Sequence, residues 1–392
     1  MLRCSTYPLD PHDLATTTSS TLMIEGTSMV DCAAPGAEVQ PSLAEAVAWL
    51  LLHDREQISR KFRVSITDSC NLRCFFCHNE GQGAFGQVRV SRLTVTDYKC
   101  IIEAAVNAGV REVKLTGGEP LLYKNSGRDI VDLISGINTL RAKQQFGLSM
   151  ITNGLLLHRY AEALKNVGLD RVTISLHTLD EAKHGGLISP SGGRRDGPAD
   201  ITNAIRLAVK AGLTPVKVNT VLFGRGHRSN VTELADIIHA CKELGVSQLR
   251  LYTLLKHELF PDHAAWYRFW GQELLTDLGQ AVYGCTRRAS DFVETASQML
   301  SMRKYALYPK PTLVITTENL QVTIEDMETG RFESRGLPDE GPYALRLSAS
   351  GQLRGILSHD APSLDLRTML RREDASASLE AAFRTAQKEL LP

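Results

Sequence analysis

Between residues 62 and 254 the sequence alternates between short apolar strand patterns and amphipathic helix patterns. Six strands are predicted, at residues 62–67, 112–116, 148–152, 171–176, 216–222 and 248–254. Helices are predicted between and after them, at residues 96–107, 129–140, 157–167, 199–211 and 231–244. Connections of this length allow only crossovers, so the strands are expected to form a parallel sheet. A closed barrel of this type uses eight strands. We therefore predict an α/β fold, a partial (β/α)6 TIM-like barrel.

The pattern changes after residue 254. Two hairpins are predicted there, one pairing residues 313–317 with 320–324 and one pairing residues 343–348 with 352–357 around Gly351. We expect residues 42–280 to form the barrel, and residues 281–392 to form a smaller α+β region that closes its open side. Residues 1–41 are rich in Ser, Thr, Ala and Pro without periodicity, which predicts an irregular, mobile leader.

The charge balance limits the classes of partner. Lys and Arg together number 44, and Asp and Glu together also number 44, so the net charge is zero. A dedicated nucleic-acid binder would need an excess of basic residues. A small anionic substrate needs only a few local cations. The longest apolar run, residues 46–52, is far shorter than the about 20 residues of a membrane span, and the N-terminus lacks the apolar core of a secretory signal. We predict a cytoplasmic protein that binds a small molecule, with no prediction for its oligomeric state.

Three of the eight cysteines follow the first strand with the spacing C-x3-C-x2-C: Cys70, Cys74 and Cys77. The chain is neither small nor secreted, so this group predicts metal binding and not a disulfide framework. Three thiolates on one loop can hold three irons of a [4Fe–4S] cubane and leave the fourth iron open to a second molecule. A zinc site is the alternative, with His78 or a distant cysteine as its fourth ligand.

A glycine-rich turn follows the strand that ends at Thr116. Its residues are Gly117, Gly118, Glu119 and Pro120. Barrels of this type carry their chemistry at the C-terminal ends of the strands, which places this turn beside the cysteine loop. The two glycines allow a ligand to approach the backbone, and Glu119 is expected to face the barrel mouth.

The combination of C-x3-C-x2-C with GGEP on a partial barrel resembles the radical S-adenosylmethionine (SAM) superfamily. This resemblance implies two cofactors, a [4Fe–4S] cluster and SAM, with the open iron binding the amino and carboxylate groups of SAM. One electron from an external donor of the flavodoxin or ferredoxin type would cleave SAM to methionine and a 5′-deoxyadenosyl radical, which abstracts hydrogen. The resemblance also implies that Glu119 and the adjoining backbone contact the methionine ammonium.

Longer segments resemble the GTP 3′,8-cyclase family of molybdenum-cofactor biosynthesis. They are FRVSITDSCNLRC, VKLTGGEPLL, ITNG, VTISLHTLD, VKVNTVL and, near the C-terminus, ALRLSASGQLRGILSHDAPSLDLRTMLR. The resemblance extends from about residue 62 to residue 371. It implies that polar residues at the strand ends help to bind SAM, namely Thr152, Asn153, Ser175 and Asn219, for which ordinary strand-end polarity is the alternative.

The chain departs from this family near its C-terminus. Where the family has three cysteines that hold a second cluster against the substrate base, this chain has Asp339, Pro342 and about Ile356. Cys285 is the only cysteine after Cys241, so an all-cysteine second cluster cannot form there. The glycine pair at the family's C-terminus is also absent. We therefore predict a relative that retains the radical chemistry and acts on a different substrate.

Some of the family's phosphate-binding positions are retained. Arg63, Lys114, Arg250 and Arg346 match basic positions that hold the triphosphate, whereas Ala344 replaces one arginine of a pair. The resemblance thus implies a substrate with fewer phosphates, which arginine binds through paired hydrogen bonds. Solvated surface charges are the alternative.

Three further features are candidates for a role in the site. Tyr123 is expected to place a phenol near the radical. Cys285 is a candidate hydrogen-atom donor, although a lone cysteine is often inert. Residues 184–198 contain two Gly-Gly pairs and are expected to form either a lid or a mobile surface loop.

These observations predict a radical SAM enzyme that forms a carbon–carbon bond within a phosphorylated nucleoside, in a cyclase or lyase type of reaction. Nucleoside-antibiotic biosynthesis, where bicyclic octosyl-acid-type sugars arise, is the expected setting. The alternatives are a radical SAM dehydratase, dehydrogenase or epimerase that acts on a sugar or nucleotide. A peptide-modifying enzyme and a non-catalytic metal-binding protein are further alternatives.

Overall fold

The alternation of strands and helices is confirmed by the computed structural model. The structure describes residues 21–25, 60–77, 93–190, 197–223, 229–253, 312–316, 319–325, 344–355 and 362–390. The expected domain boundaries at residues 41/42 and 280/281 lie outside these ranges and stay predictions. No helix within the described ranges is long and apolar enough to cross a membrane.

The structure contains sixteen described strands. In chain order they are β1 (Thr21–Glu25), β2 (Lys61–Ser65), β3 (Leu72–Cys74), β4 (Glu112–Thr116), β5 (Lys124–Asn125), β6 (Arg128–Asp129), β7 (Gly147–Thr152), β8 (Arg171–Ser175), β9 (Ile188–Pro190), β10 (Lys217–Leu222), β11 (Gln248–Thr253), β12 (Thr312–Thr316), β13 (Gln321–Glu325), β14 (Leu345–Leu347), β15 (Gln352–Arg354) and β16 (Leu364–Asp365).

Eight α-helices are described. They are α1 (Val95–Asn107), α2 (Ile130–Asn138), α3 (Ala161–Asn166), α4 (Glu181–Leu187), α5 (Pro198–Lys210), α6 (Leu234–Glu243), α7 (Leu366–Met369) and α8 (Ala375–Thr385). Short 3-10 turns lie at Pro120–Leu122, Thr139–Ala142, Leu157–Arg159 and Val231–Glu233, and a π-helical turn at Ala386–Leu390. The predicted helix at residues 157–167 is therefore a 3-10 turn followed by the shorter α3.

The chain divides into two compact units, each built from three stretches. The first comprises Met1–Asp54, Leu176–Leu187 and Lys217–Asp339, and the second comprises Arg55–Ser175, Ile188–Val216 and Glu340–Pro392. In the second unit the sheet order is β8-β7-β4-β2-β14-β15-β16. The first five of these strands are parallel, whereas β15 and β16 each pair antiparallel with the preceding strand. The predicted second hairpin is thus present, and β14 lies directly beside β2.

One face of the second unit's sheet is packed by helices. Phe62 on β2 has no exposed surface and makes an edge-to-face contact with Phe383 of α8, with the ring centroids 5.0 Å apart. Side chains alternate along a strand, so Arg63, next to Phe62, lies on the opposite face. Helix α1 begins with a capping box formed by Thr94 and Asp97, which satisfies backbone N–H groups of its first turn.

In the first unit β10, β11 and β13 are parallel neighbours, and β12 pairs antiparallel with β13 as the predicted first hairpin. Strand β1 pairs parallel with β12. Strand β1 lies inside the segment expected to be irregular, so that expectation is corrected for residues 21–25. Its sequence, TLMIE, is a short run of strand-forming residues within a segment whose average composition hides it.

The loop that follows β8 is held by buried polar groups of the first unit. The Asn230 side chain accepts from the Phe223 N–H and donates to the carbonyls of His177 and Val221, at 2.7–2.8 Å. The His177 imidazole accepts from the Val221 N–H at 3.0 Å. Burial, and the nearby His184, lower the pKa of His177 to about 3. Hydrogen bonds between neutral groups therefore help to fix this loop in place.

The segment expected to be a lid or a surface loop is partly regular. Its first residues belong to α4, and β9 then pairs antiparallel with β3, so that Ile188 lies opposite Cys74. Residues 191–196 lie outside the described ranges. Residues 184–190 are therefore a helix end and a strand paired with the cysteine loop and not an irregular loop, whereas the expectation of a lid stays a prediction.

Candidate cluster and cofactor site

The three cysteines lie on the loop that follows β2, and each is half-buried. Besides burial, the charge of Cys77 raises the pKa of both Cys70 and Cys74, and the charge of Cys70 raises the pKa of Cys74. The Cys77 N–H also donates to the Cys74 carbonyl at 3.1 Å, which keeps the loop compact. The structure therefore brings the predicted cluster ligands together.

Burial of the loop determines the protonation state of its thiols before metal binds. Burial raises the pKa of Cys70 to about 12, although the Leu72 N–H donates to Cys70 Sγ at 3.4 Å. Burial also raises the pKa of Cys74. Without metal the thiols stay protonated, so cluster binding must release protons.

The GGEP turn is bound to the backbone that precedes Cys70. The Gly118 N–H donates to the Thr67 carbonyl at 2.7 Å, and the Glu119 N–H donates to the Ser69 carbonyl at 2.8 Å. A Cβ on Gly117 or Gly118 would lie less than 3.0 Å from the carbonyl oxygens of Thr67 and Ser69, respectively. The close approach of the cysteine loop thus requires both glycines, and their role in binding a ligand stays a prediction.

The Glu119 carboxylate lies at the ends of two neighbouring strands and is only 1% exposed. It accepts from the Thr152 hydroxyl at 2.7 Å, the Asn153 N–H at 2.8 Å and the Leu121 N–H at 3.1 Å. Burial raises the pKa of Glu119 to about 7, against the opposing effect of these donors. Pro120 begins the 3-10 turn that supplies the Leu121 N–H.

This carboxylate fits the ammonium group of SAM. Among the described residues, no Lys, Arg or His forms an ion pair with Glu119. A buried carboxylate without a cation is costly, and a bound ammonium would relieve that cost.

Within the described residues, no group of three His, Cys, Asp or Glu side chains is arranged to hold a single metal ion such as zinc. His78, the proposed fourth zinc ligand, lies outside the described residues.

The other predicted SAM residues lie on two strands. Ser175 ends β8 in the second unit and is half-buried. Asn219 lies on β10 in the first unit, in register with Arg250 on β11. The Asn219 Oδ1 atom is buried and has no hydrogen-bond partner within the described residues, so it can accept from a ligand. Their role in binding SAM stays a prediction.

Three of the predicted phosphate residues form a row across the second unit's sheet. Arg346 on β14 lies in register with Arg63 on β2, and Arg63 lies in register with Lys114 on β4. Adjacent strands are about 4.8 Å apart, so the three cations are neighbours on the face opposite Phe62. Three cationic side chains on one face of the sheet provide hydrogen-bond donors for an anion bound among them.

Two residues of this site were not predicted from the sequence. Arg354 on β15 pairs in register with Arg346 and extends the cationic row. The predicted hairpin around Gly351 places Arg354 opposite Arg346, so the register of that hairpin could have identified Arg354 from the sequence. Asn71, between Cys70 and Cys74, accepts from Asn153 Nδ2 at 2.8 Å. No spacing or composition marks this residue.

Two predicted residues have different outcomes. Tyr123 has no exposed surface, its hydroxyl donates to the Leu93 carbonyl at 3.1 Å, and its ring packs against Tyr98. The expectation of a phenol near the radical is therefore corrected, because the 3-10 turn that begins at Pro120 directs the chain into the core. Cys285 lies outside the described residues and stays a prediction.

Comparison with known proteins agrees with this geometry. Residues 64–238 match the Radical SAM superfamily. A probable GTP 3′,8-cyclase of Sulfurisphaera tokodaii is 31% identical over 309 residues, which cover 79% of this chain and 84% of that protein. A probable GTP 3′,8-cyclase of Methanococcus aeolicus is 36% identical over 195 residues, or 50% of this chain. That alignment spans only 59% of the relative's length.

A solved structure shares the fold at low identity. Streptococcus suis SuiB bound to S-adenosylmethionine superposes with a TM-score of 0.51 at 14% identity, covering 84% of this chain and 68% of that one. The predicted α/β class with a mostly parallel sheet, consistent with a partial TIM barrel, is confirmed. The superfamily's cofactors are a [4Fe–4S] cluster and SAM, which the cysteine loop and Glu119 fit. The chain belongs to the radical SAM superfamily, among relatives of the GTP 3′,8-cyclases.

Proposed function

We propose that this chain is a radical SAM enzyme with a single [4Fe–4S] cluster, and that it closes a carbon–carbon bond within a phosphorylated nucleoside. When bound, the cluster supplies the electron that cleaves SAM to methionine and the 5′-deoxyadenosyl radical. The biosynthesis of nucleoside antibiotics is the proposed setting. The relatives support a nucleotide as the substrate class, since they are named as probable cyclases of GTP.

The observation that carries this proposal is the cationic row. Arg63, Lys114 and Arg346 lie on three adjacent strands of the sheet that ends at Glu119 and the cysteine loop. Guanidinium groups bind phosphate oxygens through two parallel hydrogen bonds, and a lysine adds a point charge. A phosphate bound to this row would orient the nucleoside relative to the strand ends, where SAM is expected.

The missing second cluster supports a substrate other than GTP. This chain has no cysteine at residues 339, 342 and 356, so it lacks the ligands that would hold a cluster against the base. Ala344 also removes one cation next to the row. We propose a nucleoside mono- or diphosphate, bound through its phosphate and sugar.

The chain's own residues hold the methionine end of SAM. Glu119 would accept from the ammonium, and this opposite charge would lower the raised pKa of Glu119 and keep it ionised. Thr152 and the Asn153 N–H already donate to both oxygens of this carboxylate, so its orientation is set before SAM binds. Such preorganisation reduces the cost of binding.

The first experiment measures the 5′-deoxyadenosine released by the anaerobically reconstituted protein with dithionite. Uridine and guanosine nucleotides, free sugars and peptides form the substrate panel, and the iron-free protein is the blank. We expect one class of nucleotide to increase the release well above the level without substrate. Release that is no faster with any nucleotide, or is faster only with a sugar or a peptide, would contradict the proposed substrate class.

Replacing Arg346 with alanine is expected to raise the KM for the active nucleotide by about 10- to 100-fold, the usual cost of a lost charge-assisted hydrogen bond. Arg346 is 6% exposed and lies between Arg63 and Arg354. Steady-state kinetics at varied nucleotide concentration provide the measurement. Lys210→Ala, an exposed cation at the end of α5, is the matched control. A KM that stays within about twofold of wild type in Arg346→Ala would separate the row from substrate binding.

A further inference from the structure

One pair of side chains joins the cysteine loop to the strand ends. Asn153 Nδ2 donates to Asn71 Oδ1 at 2.8 Å. Asn71 lies inside the C-x3-C-x2-C motif, next to Cys70, and its Oδ1 is 4.0 Å from Cys70 Sγ. Asn153 directly follows β7. The bond thus connects two segments that are 82 residues apart in the chain.

Asn153 is itself held in a single orientation. Its Oδ1 accepts from the Leu155 N–H at 3.1 Å, and its backbone N–H donates to Glu119 Oε2 at 2.8 Å. The side-chain nitrogen must therefore face Asn71. A continuous series of hydrogen bonds runs from Glu119 through Asn153 to Asn71, beside Cys70.

SAM binding at this site requires the cysteine loop and the Glu119 carboxylate to be held at a fixed distance from each other. The cysteine loop sets the place of the cluster's open iron, whereas the GGEP turn and the end of β7 set the place of the Glu119 carboxylate. A methionine moiety that reaches both needs them at one fixed separation, since small misplacements are costly. The Asn71 side chain makes a direct hydrogen bond from the loop to the end of β7.

We infer that Asn71 is a positioning residue that sets the orientation of the cluster loop relative to Glu119 for SAM binding. This inference rests on the proposed radical SAM function. Asn71 is not needed to attach the loop, because Gly118 and Glu119 bind the backbone of Thr67 and Ser69, and β3 pairs with β9. Its loss therefore affects the binding of SAM more than the binding of the cluster.

The test uses the full-length, anaerobically reconstituted protein and four variants: Asn71→Ala, Asn71→Asp, Asn153→Ala and the double alanine variant. Asn203→Ala, on the exposed side of α5, is the matched control. Three quantities are measured: the iron and sulfide content, the SAM affinity by equilibrium dialysis, and the change that SAM causes in the EPR spectrum of the dithionite-reduced cluster.

We expect Asn71→Ala to retain the wild-type iron content and to bind SAM about tenfold more weakly, which is the usual effect of one lost hydrogen bond at a binding site. Its EPR spectrum should respond less to SAM. Asn71→Asp should restore the affinity, because the aspartate oxygen still accepts from Asn153. The double variant should bind SAM no more weakly than Asn153→Ala, since both changes remove the same bond.

Three results would overturn the inference. They are an unchanged SAM affinity in Asn71→Ala, a loss of iron in that variant, and additive effects in the double variant. A protein that does not bind SAM at its cluster gives a different result, because the wild-type protein would then show no EPR response to SAM at all, and a substrate other than a nucleoside leaves this test unchanged.

Discussion

A Cys74→Ala variant is expected to bind no [4Fe–4S] cluster and to release 5′-deoxyadenosine only at the level of the iron-free protein. The remaining Cys70 and Cys77 would supply two of the three thiolates that a cluster with one open iron needs. Cys74 ends β3, whose other residues are Leu72 and Arg73, so no other side chain of that strand can replace its sulfur. Iron and sulfide analysis, the absorbance of the cluster in the visible range and product chromatography provide the measurements.

The matched control is Cys241→Ala. Cys241 lies on α6 and is fully buried, and burial raises its pKa to about 12. This variant should retain the cluster and the release of 5′-deoxyadenosine, with at most a modest loss of stability from the smaller side chain. A Cys74→Ala protein that retains iron and product release would contradict the site. Stoichiometric zinc in the wild-type protein would instead support the alternative metal.

The sequence predicted most of the barrel because its local signals agree with its tertiary contacts. Strand β4 has the predicted bounds, and β8 and β10 differ from their predictions by one residue at one end. Apolar alternation marks the strands, and glycines mark the helix ends. Gly109, for example, has a φ of +107° just after α1, a conformation that suits glycine. Where the apolar pattern of an element ends at such a glycine, the bounds of the element follow from the sequence.

The elements that the sequence missed depend on contacts between distant segments. Strands β3 and β9 have three residues each, too few for periodicity to mark them, and each is a strand only because the other pairs with it. Tyr123 shows the same limit for a side chain. Its place beside GGEP suggested the site, but the direction of the turn and a hydrogen bond to Leu93 place it in the core.

The sequence predicted which residue types form the cluster site. It did not predict the contacts that hold the cysteine loop and the GGEP turn together. Cysteine spacing and GGEP identify the ligands and the carboxylate because each chemistry needs particular atoms. The bonds that hold them together are mostly to the backbone, as between Glu119 and Ser69 or Gly118 and Thr67. Backbone contacts leave little trace in a sequence except where a side chain must be absent. The two glycines of the turn are that trace.

Gly118→Ala is therefore expected to damage the site as a whole. Its Cβ would overlap the Ser69 carbonyl group, which is backbone and cannot rotate away. The turn and the Thr67–Ser69 segment must separate, which breaks their two hydrogen bonds. Overpacking and lost buried bonds together cost about 2–5 kcal/mol. The shift moves Cys70 and Glu119 apart, so the SAM affinity and the release of 5′-deoxyadenosine should fall by about 100-fold or more.

Thermal unfolding, iron content and SAM dialysis test this expectation together. Gly185→Ala is the matched control, because Gly185 lies exposed on α4 and an added methyl group there would meet nothing within 4 Å. Alanine favours a helix by up to about 1 kcal/mol over glycine, so this control should lose neither stability nor iron. If Gly118→Ala matched Gly185→Ala in all three measurements, the backbone contact between the turn and the cysteine loop would have no part in holding the site. A loss confined to Gly118→Ala would instead show that the glycine is needed where the cysteine loop packs against the turn that carries Glu119. A single methyl group there would separate the cluster ligands from the carboxylate that is proposed to bind SAM.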